Sequence, residues 1–395
     1  MPWAKTIKRV IEDGRMPPWG LDKAHYPKGG FSNDRSLSHG DAEKILAWVS
    51  HGAPAGEEKE AENPEAVSDS HEWKIAKQSP TGKPDVVFDM GTTFRVPKHG
   101  ELDYQYFTVP THFTEEKCVK AVEVHAGAVQ VVHHAIVHIS SPQGAGTIGA
   151  DNLLRNSPTM VKVFRSFPPE KRNAQSFRNL MKIAQLYDPK TAAILGSYVP
   201  GEEVRELAPG TAICIPAGST LTFELHYTPD DQKEHDDRTQ IGLMFTAKPE
   251  REVKTDPLGQ LPLTVPANDP NFHQKLQFTF AKDSEIVSLQ PHAHKLAKRW
   301  KYELEYPDGR REVILSVPNY DYQSQPVYNF KAPICVPQGT KLHVDCVYDN
   351  SKWNPRNPHP DKPETITWGF QTKDEMMNGW LTYVGSKSPC AGAKK

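Results

Sequence analysis

The chain has 395 residues, and its 47 Lys+Arg against 49 Asp+Glu leave a formal net charge of −2. That balance argues against a protein held to nucleic acid or to an anionic membrane by charge. A mean hydropathy of −0.62, with no apolar run near the ~20 residues that cross a bilayer, excludes a transmembrane helix. The length exceeds the ~100–200 residues of one domain, so two or three packed units are expected, and 35 prolines favour many short strands over long helices.

The chain opens with a predicted helix over Ala4–Asp13, where Ile7, Val10 and Ile11 fall at helical spacing, and Met16-Pro17-Pro18-Trp19 stops it. A second helix is predicted over Ser38–His51. Ser38 and Asp41 form a capping box, Ile45, Leu46, Trp48 and Val49 make one apolar face, and Gly52 ends it. Pro54–Pro84, rich in Glu, Lys, Ala and Ser, reads as a linker. From Asp85 the texture turns to runs of Val, Ile, Phe, Thr and Tyr between Pro, Gly, Asn and Asp clusters, the pattern of antiparallel sandwiches. The runs are Lys120–Ile139, Thr220–Thr228, Ile241–Ala247, Ile286–Leu289, Trp300–Tyr306, Lys341–Tyr348 and Trp380–Val384, with one helical insert within Pro169–Tyr187. The turn-rich stretch Ala247–Leu263 is the candidate boundary between two such units. The expected fold is mainly β: two tandem antiparallel β-sandwich, jelly-roll-like domains behind a short α-helical segment. The boundaries are 1–56 for the helical segment, 57–84 for a linker, 85–250 and 251–388 for the sandwiches, and 389–395 for a tail. No short repeat is present, which argues against a solenoid or propeller.

Five cysteines form no CxxC, so zinc-ribbon, thioredoxin and covalent-haem patterns are absent, and the odd count leaves one thiol unpaired. The start of the chain shows no export signal. Among 17 histidines, three placements stand out: His133-His134 with His138, His226, and His292 with His294. Strand alternation puts Leu221, Phe223 and Leu225 on one face and Thr222, Glu224 and His226 on the other. The same parity sets Gln290, His292 and His294 on one side, so this HxH pair can hold one ion. Pro291 donates no ladder hydrogen bond, which places the pair at a strand end or sheet edge with an open coordination position. Neighbours in a regular strand point apart, so His133 and His134 share an ion only at a bulge or strand end. His138 is a core or supporting residue. Met376, in DEMMN, is ordinary core filler by itself, but beside an HxH pair its thioether is a soft ligand that favours copper, especially the reduced ion.

The set HH, ELHY, HxHK and DEMMN, in this order, resembles the copper type II, ascorbate-dependent monooxygenases, the family of peptidylglycine alpha-hydroxylating and dopamine beta-monooxygenases. The resemblance spans most of Asp85–Gly385. It implies one copper on His133, His134 and His226, and a second on His292, His294 and Met376. It further implies that the second centre is catalytic, reacting with dioxygen to hydroxylate a substrate C–H bond, and that the first stores and delivers an electron from an external donor such as ascorbate or a cytochrome. Members acting on glycine-extended peptides hold the substrate carboxylate with an arginine before HxH and an asparagine and a tyrosine after the methionine. Here Gln290, Asn378 and Trp380 stand there, so these become the substrate-binding candidates and a less anionic substrate is expected. A cysteine often follows the methionine and pairs with one resembling Cys346; here Met377 follows, so that disulfide does not form. Glu224 and Asp374 are candidates to orient the imidazoles.

The N-terminal segment resembles the second half of the cytochrome c domain found before this fold in bacterial members, with Met16 as axial haem ligand and Ser38–His51 as closing helix. Haem c is implied only if the natural chain extends N-terminally to a CxxCH, and Met1 is expected to be an internal or truncated start. The implied partners are a small-molecule or peptide-like substrate, dioxygen and an electron donor, with no nucleic acid and no membrane span, and the implied location is periplasmic or secreted. The alternatives are a zinc-dependent hydrolase on His133, His134 and His226, or a non-catalytic sandwich that binds copper or carbohydrate.

Overall fold

A computed structural model describes residues 3–55, 72–100, 102–142, 192–199, 204–259, 262–362, 364–369 and 371–390. The predicted helix within Pro169–Tyr187, part of the 57–84 linker and the end of the tail lie outside these residues. Strands make up 45% and helices 9%, so the protein is mainly β as expected.

Two helices come first, α1 (Ala4–Glu12) and α2 (His39–Ser50). Ser38 caps α2, its Oγ accepting from Asp41 N at 3.1 Å. The first strands are β1 (Val86–Asp89), β2 (Phe94–Val96), β3 (Gln105–Pro110), β4 (Lys117–His125), β5 (Val132–Ser140), β6 (Ala192–Tyr198) and β7 (Val204–Glu206). Then come β8 (Thr211–Ile215), β9 (Thr220–Tyr227), β10 (His235–Asp237), β11 (Gln240–Thr246), β12 (Arg251–Gly259), β13 (Thr264–Val265) and β14 (Phe272–Thr279). The last are β15 (Ser284–His292), β16 (Ala297–Glu305), β17 (Arg311–Val317), β18 (Tyr328–Val336), β19 (Lys341–Tyr348), β20 (Ile366–Thr367) and β21 (Asn378–Gly385).

The strands build two cores. In the first, β3-β9-β5-β6 faces the β1-β11-β4-β8 part of a nine-stranded sheet, and Val124, Val137, Leu221, Phe223, Leu225 and Leu243 fill the gap. In the second, β14-β19-β16-β17 faces the β12-β21-β15-β18 part of the same sheet around Leu289, Trp300, Tyr302, Leu342, Val344 and Leu381. The two parts join where β8 pairs in parallel with β12, Thr211 opposite Arg251 and Ala212 opposite Glu252.

Three sequence expectations need adjustment. Ala247–Leu263 was expected to be turn-rich, yet it contains β12, which tolerates Pro257 and runs along β21 from Val253–Val384 to Gly259–Asn378. Lys120–Ile139 splits into β4 and β5 around a turn closed by Val131 N donating to Ala128 O. The later part of the linker is packed: Ile75 is buried, its N donates to Glu123 Oε2, and the Trp73 ring lies flat on His125 at 3.9 Å. A composition dominated by Glu and Lys hid these two apolar anchors.

The N-terminal segment docks on the second core. Trp19 and Phe31 are buried there, Phe31 bridges to Phe330, and Trp19 O accepts from Tyr328 Oη at 2.7 Å. Cys118 pairs with Cys214 and Cys335 with Cys390, leaving Cys346 as the single buried thiol, in line with the odd count.

Candidate metal centres

His134 and His226 sit opposite each other on neighbouring strands β5 and β9. The register of that pair slips between Val132 and His134, a bulge that takes His133 out of strict alternation. Neighbouring histidines therefore join one cluster. The three ring centroids form a near-equilateral triangle of 5.4, 5.3 and 5.2 Å, and one ligand nitrogen from each ring lies within 4.8 Å of the others. The Tyr104 ring stacks on His226 at 4.7 Å and meets His134 edge-on. His226 is off the aliphatic face of β9, as predicted, but its own face is also buried, with Thr222 and Glu224 beside it.

Electrostatics keep these imidazoles neutral. Burial, then the neighbouring His133 and His292 rings, brings His226 down to about 4. Burial puts His134 well below the ordinary value, with further contributions from His226, His133, His292 and His294, and burial also lowers His133. His226 Nδ1 is buried without a hydrogen-bond partner among the described residues, and His133 Nδ1 and His134 Nδ1 lie 3.1 Å apart. Buried lone pairs converging without donors are what a cation satisfies.

His292 ends β15 opposite Asn378, and His294 follows just beyond it, the rings 5.6 Å apart. The pair thus occupies a strand end, although β15 lies inside its sheet. Both Nδ1 atoms face oxygens: Gln325 Oε1 at 2.6 Å from His292 and the Asp374 carbonyl at 3.1 Å from His294. Each Nδ1 therefore carries the proton and each Nε2 keeps its lone pair. Gln325 is itself oriented, its Nε2 donating to Tyr322 O at 2.7 Å. Tyr320 Oη locks Ala293 between the histidines, accepting from its N and donating to its O. Burial lowers His292 and takes His294 down to about 3.

Glu375 brings Met376 to this pair. Its Oε2 accepts from His294 N at 2.9 Å and from Met376 N at 3.2 Å, and its Oε1 accepts from Leu296 N at 2.6 Å. Burial pushes this carboxyl up to about 8 against the pull of those three donors. Met376 is buried, Tyr348 Oη donates to its carbonyl, and Asn378 Nδ2 stands 3.9 Å from its sulfur.

Of the substrate-binding candidates, Asn378 flanks the methionine. Gln290 donates from Nε2 to Gln325 O at 3.0 Å and lies opposite Trp380, which is largely buried. Met16 is half exposed on the N-terminal segment. Glu224 Oε2 lies 3.2 Å from His138 Nε2, and Asp374 acts on His294 through its carbonyl. Sequence reasoning missed Tyr104, Gln325 and Glu375. Glu375 adjoins Met376, a signal within reach; Tyr104 and Gln325 lie 122 and 33 positions from the histidines they serve and give none.

Comparison with known proteins bears on the C-terminal part of the chain. Residues 273–391 match the family described as copper type II ascorbate-dependent monooxygenase, C-terminal domain. That match, over less than half of the chain, likens its C-terminal region to the copper type II ascorbate-dependent monooxygenases. The matched stretch carries His292, His294 and Met376. The match supports a copper-dependent oxidoreductase in general. No curated protein matches it. Among solved structures, cowpea mosaic virus top component aligns at 8% identity over 76% of this chain and 91% of that one, with a TM-score of 0.34. The major capsid protein P2 of bacteriophage PM2 aligns at 8% identity over 76% and 100%, with a TM-score of 0.28. Scores this low carry no argument. Among the described residues, no helix is long and apolar enough to cross a membrane.

Proposed function

We propose that this protein is a copper monooxygenase that hydroxylates a substrate C–H bond with dioxygen and an external one-electron reductant, ascorbate or a cytochrome, through two separate mononuclear copper sites. His133, His134 and His226 form one, and His292, His294 and Met376 form the other. The observation that carries the reading is the convergence of one nitrogen each from the His133, His134 and His226 rings within 4.8 Å, with a second group, His292 and His294, whose Nδ1 atoms are both hydrogen-bonded and whose backbone Glu375 ties to that of Met376. Three neutral imidazoles suit copper in either oxidation state, and a thioether favours the reduced ion. When bound, copper supplies one-electron redox chemistry at the first set and dioxygen activation at the second.

The chain's own residues do the rest. Gln325 and the Asp374 carbonyl fix the tautomers of His292 and His294, Glu375 ties Met376 to them, and Tyr104 holds the His226 ring in place. Asn378, beside the sulfur, is the residue placed to meet substrate, with Gln290 and Trp380 shaping the wall behind it. The neutral side chains at these positions favour a substrate less anionic than a peptide carboxylate. Residues 85–250 and 251–388 serve as the two copper-bearing units, 1–56 as a docked helical appendage. The chain holds no CxxCH to attach haem, so Met16 acts as an axial ligand only beside a partner segment that supplies one. Two disulfides support a periplasmic or secreted setting.

Metal analysis with electron paramagnetic resonance is expected to find two coppers per chain, and reductant-dependent oxygen uptake should accompany loading; zinc alone overturns the reading. Met376→Leu should abolish that uptake whereas Met377→Leu, a volume-conserving change in the core, should keep it. Equal behaviour of the two refutes the ligand assignment. Gln325→Ala should weaken copper at His292 and His294 by about 10–100-fold and leave the other site unchanged in a chelator-competition titration.

A further inference from the structure

We propose that Gln371 is a positioning residue: its side-chain amide latches the two sandwiches together beside the histidines and so fixes how far His133, His134 and His226 stand from His292, His294 and Met376. The functional meaning rests on the two-site reading above; the latch itself does not.

The two halves share backbone pairing at one end of β12, where Arg251 and Glu252 meet Thr211 and Ala212, and Arg205 Nη2 donates to Thr255 Oγ1 close by. His292 lies toward the other end of the same strand: Gly259 is opposite Asn378, and Asn378 is opposite His292. Nine residues of strand at ~3.3 Å each separate these ends by roughly 25 Å. A rotation of about 5° at the junction moves the far end by about 2 Å, and misplacements of even about 1 Å lower rates on the order of a hundredfold. A second tie near the histidines removes that freedom.

Gln371 sits in the right place to be that tie. Its Nε2 donates to Leu102 O and to Asp103 Oδ1, both at 3.2 Å, across from the second sandwich to the first. Each end of the bridge reaches an imidazole in a short path. On one side Gln371 N donates to Asp374 Oδ2 at 3.3 Å, and the Asp374 carbonyl accepts from His294 Nδ1. On the other, Asp103 is bonded to Tyr104, whose ring lies on His226. A side chain remote from any ligand nitrogen thus spans the gap between the two groups.

The test uses the full-length, metal-free protein, so its outcome is separable from whether copper binds. Nitroxide labels at Val129→Cys and Trp353→Cys, both well exposed and on opposite halves, report the inter-sandwich distance by double electron–electron resonance; Cys346 is buried and the other cysteines are paired. Gln371→Ala and the bulk-preserving Gln371→Leu should each lengthen or broaden the distance distribution, with circular dichroism unchanged. The pair Gln371→Glu with Asp103→Asn reverses donor and acceptor at position 103 but gives up the bond to Leu102 O, so it should move the distribution part of the way back toward the parent. A parent-like distribution in Gln371→Ala and Gln371→Leu overturns the latch. So does a shifted distribution that the reversed pair leaves no closer to the parent than Gln371→Leu does, because the effect is then one of packing and not of the hydrogen bond.

Discussion

Glu375→Ala is expected to destabilise the protein by roughly 3–5 kcal/mol and to empty the methionine-containing site. The carboxylate is fully buried and accepts from His294 N, Leu296 N and Met376 N. Backbone donors cannot turn away, so each stranded N–H costs ~1–3 kcal/mol. Part of that loss is offset because the substitution also relieves the carboxyl's own burial, the cause of its rise to about 8. The net is still a large fraction of the ~5–15 kcal/mol that holds a domain folded. Glu375→Gln keeps one accepting oxygen but turns an N–H donor toward another donor, so it should fall between Ala and the parent. Urea titration gives the order directly. In the fraction that remains native, cuprous binding at His292, His294 and Met376 should drop by more than tenfold, while the cupric signal of His133, His134 and His226 persists. A denaturation midpoint unchanged in Glu375→Ala removes the staple from the account.

The fold class was legible because strand alternation and turn chemistry are local: Leu221, Phe223 and Leu225 announced the core face of β9 without knowledge of what covers it. The histidines that the fold brings together could be picked out for a similar reason, since HxH after a proline and a histidine doublet are short-range patterns. What was not legible depends on contacts between distant segments. The bulge that lets His133 and His134 point together arises in the register of β5 against β9, and nothing in VVHHA alone specifies it. Gln325 meets His292 across 33 positions and Tyr104 meets His226 across 122; Gln and Tyr are common enough that their types carry no signal. Pro257 and the charges around it suggested a break, yet β12 accommodates them, because its exposed register positions tolerate Lys254 while Leu258 still reaches the core. Tertiary packing overrode a local cue there.

Asp237→Ala should be nearly as damaging, and at the other site. Asp237 is fully buried at the end of β10; Oδ1 accepts from Ala128 N at 2.9 Å, Oδ2 from Tyr227 Oη at 2.8 Å, and Thr239 Oγ1 reaches both oxygens. Ala128 opens the turn whose carbonyl then receives Val131 N and Val132 N, and the next residues are His133 and His134. Asp237 thus pins the turn that delivers the histidine doublet into its bulge. The chain passes so close that a Cβ on Gly127 would lie 2.5 Å from Arg238 N, which explains glycine at that position. Alanine at 237 strands a backbone donor and a phenol in the first core, for a loss on the order of 4 kcal/mol at ~1–3 kcal/mol per stranded group, and it frees the turn. Asparagine keeps an oxygen toward Ala128 N, and the Tyr227 hydroxyl can rotate to accept from the new amide, so Asp237→Asn should lose only about 1 kcal/mol. Cupric affinity should follow the same order, falling in Ala and nearly retained in Asn, with the methionine-containing site indifferent to both. Equal stability of the Ala and Asn variants would show that neither the volume at position 237 nor the oxygen accepting from Ala128 N holds the turn.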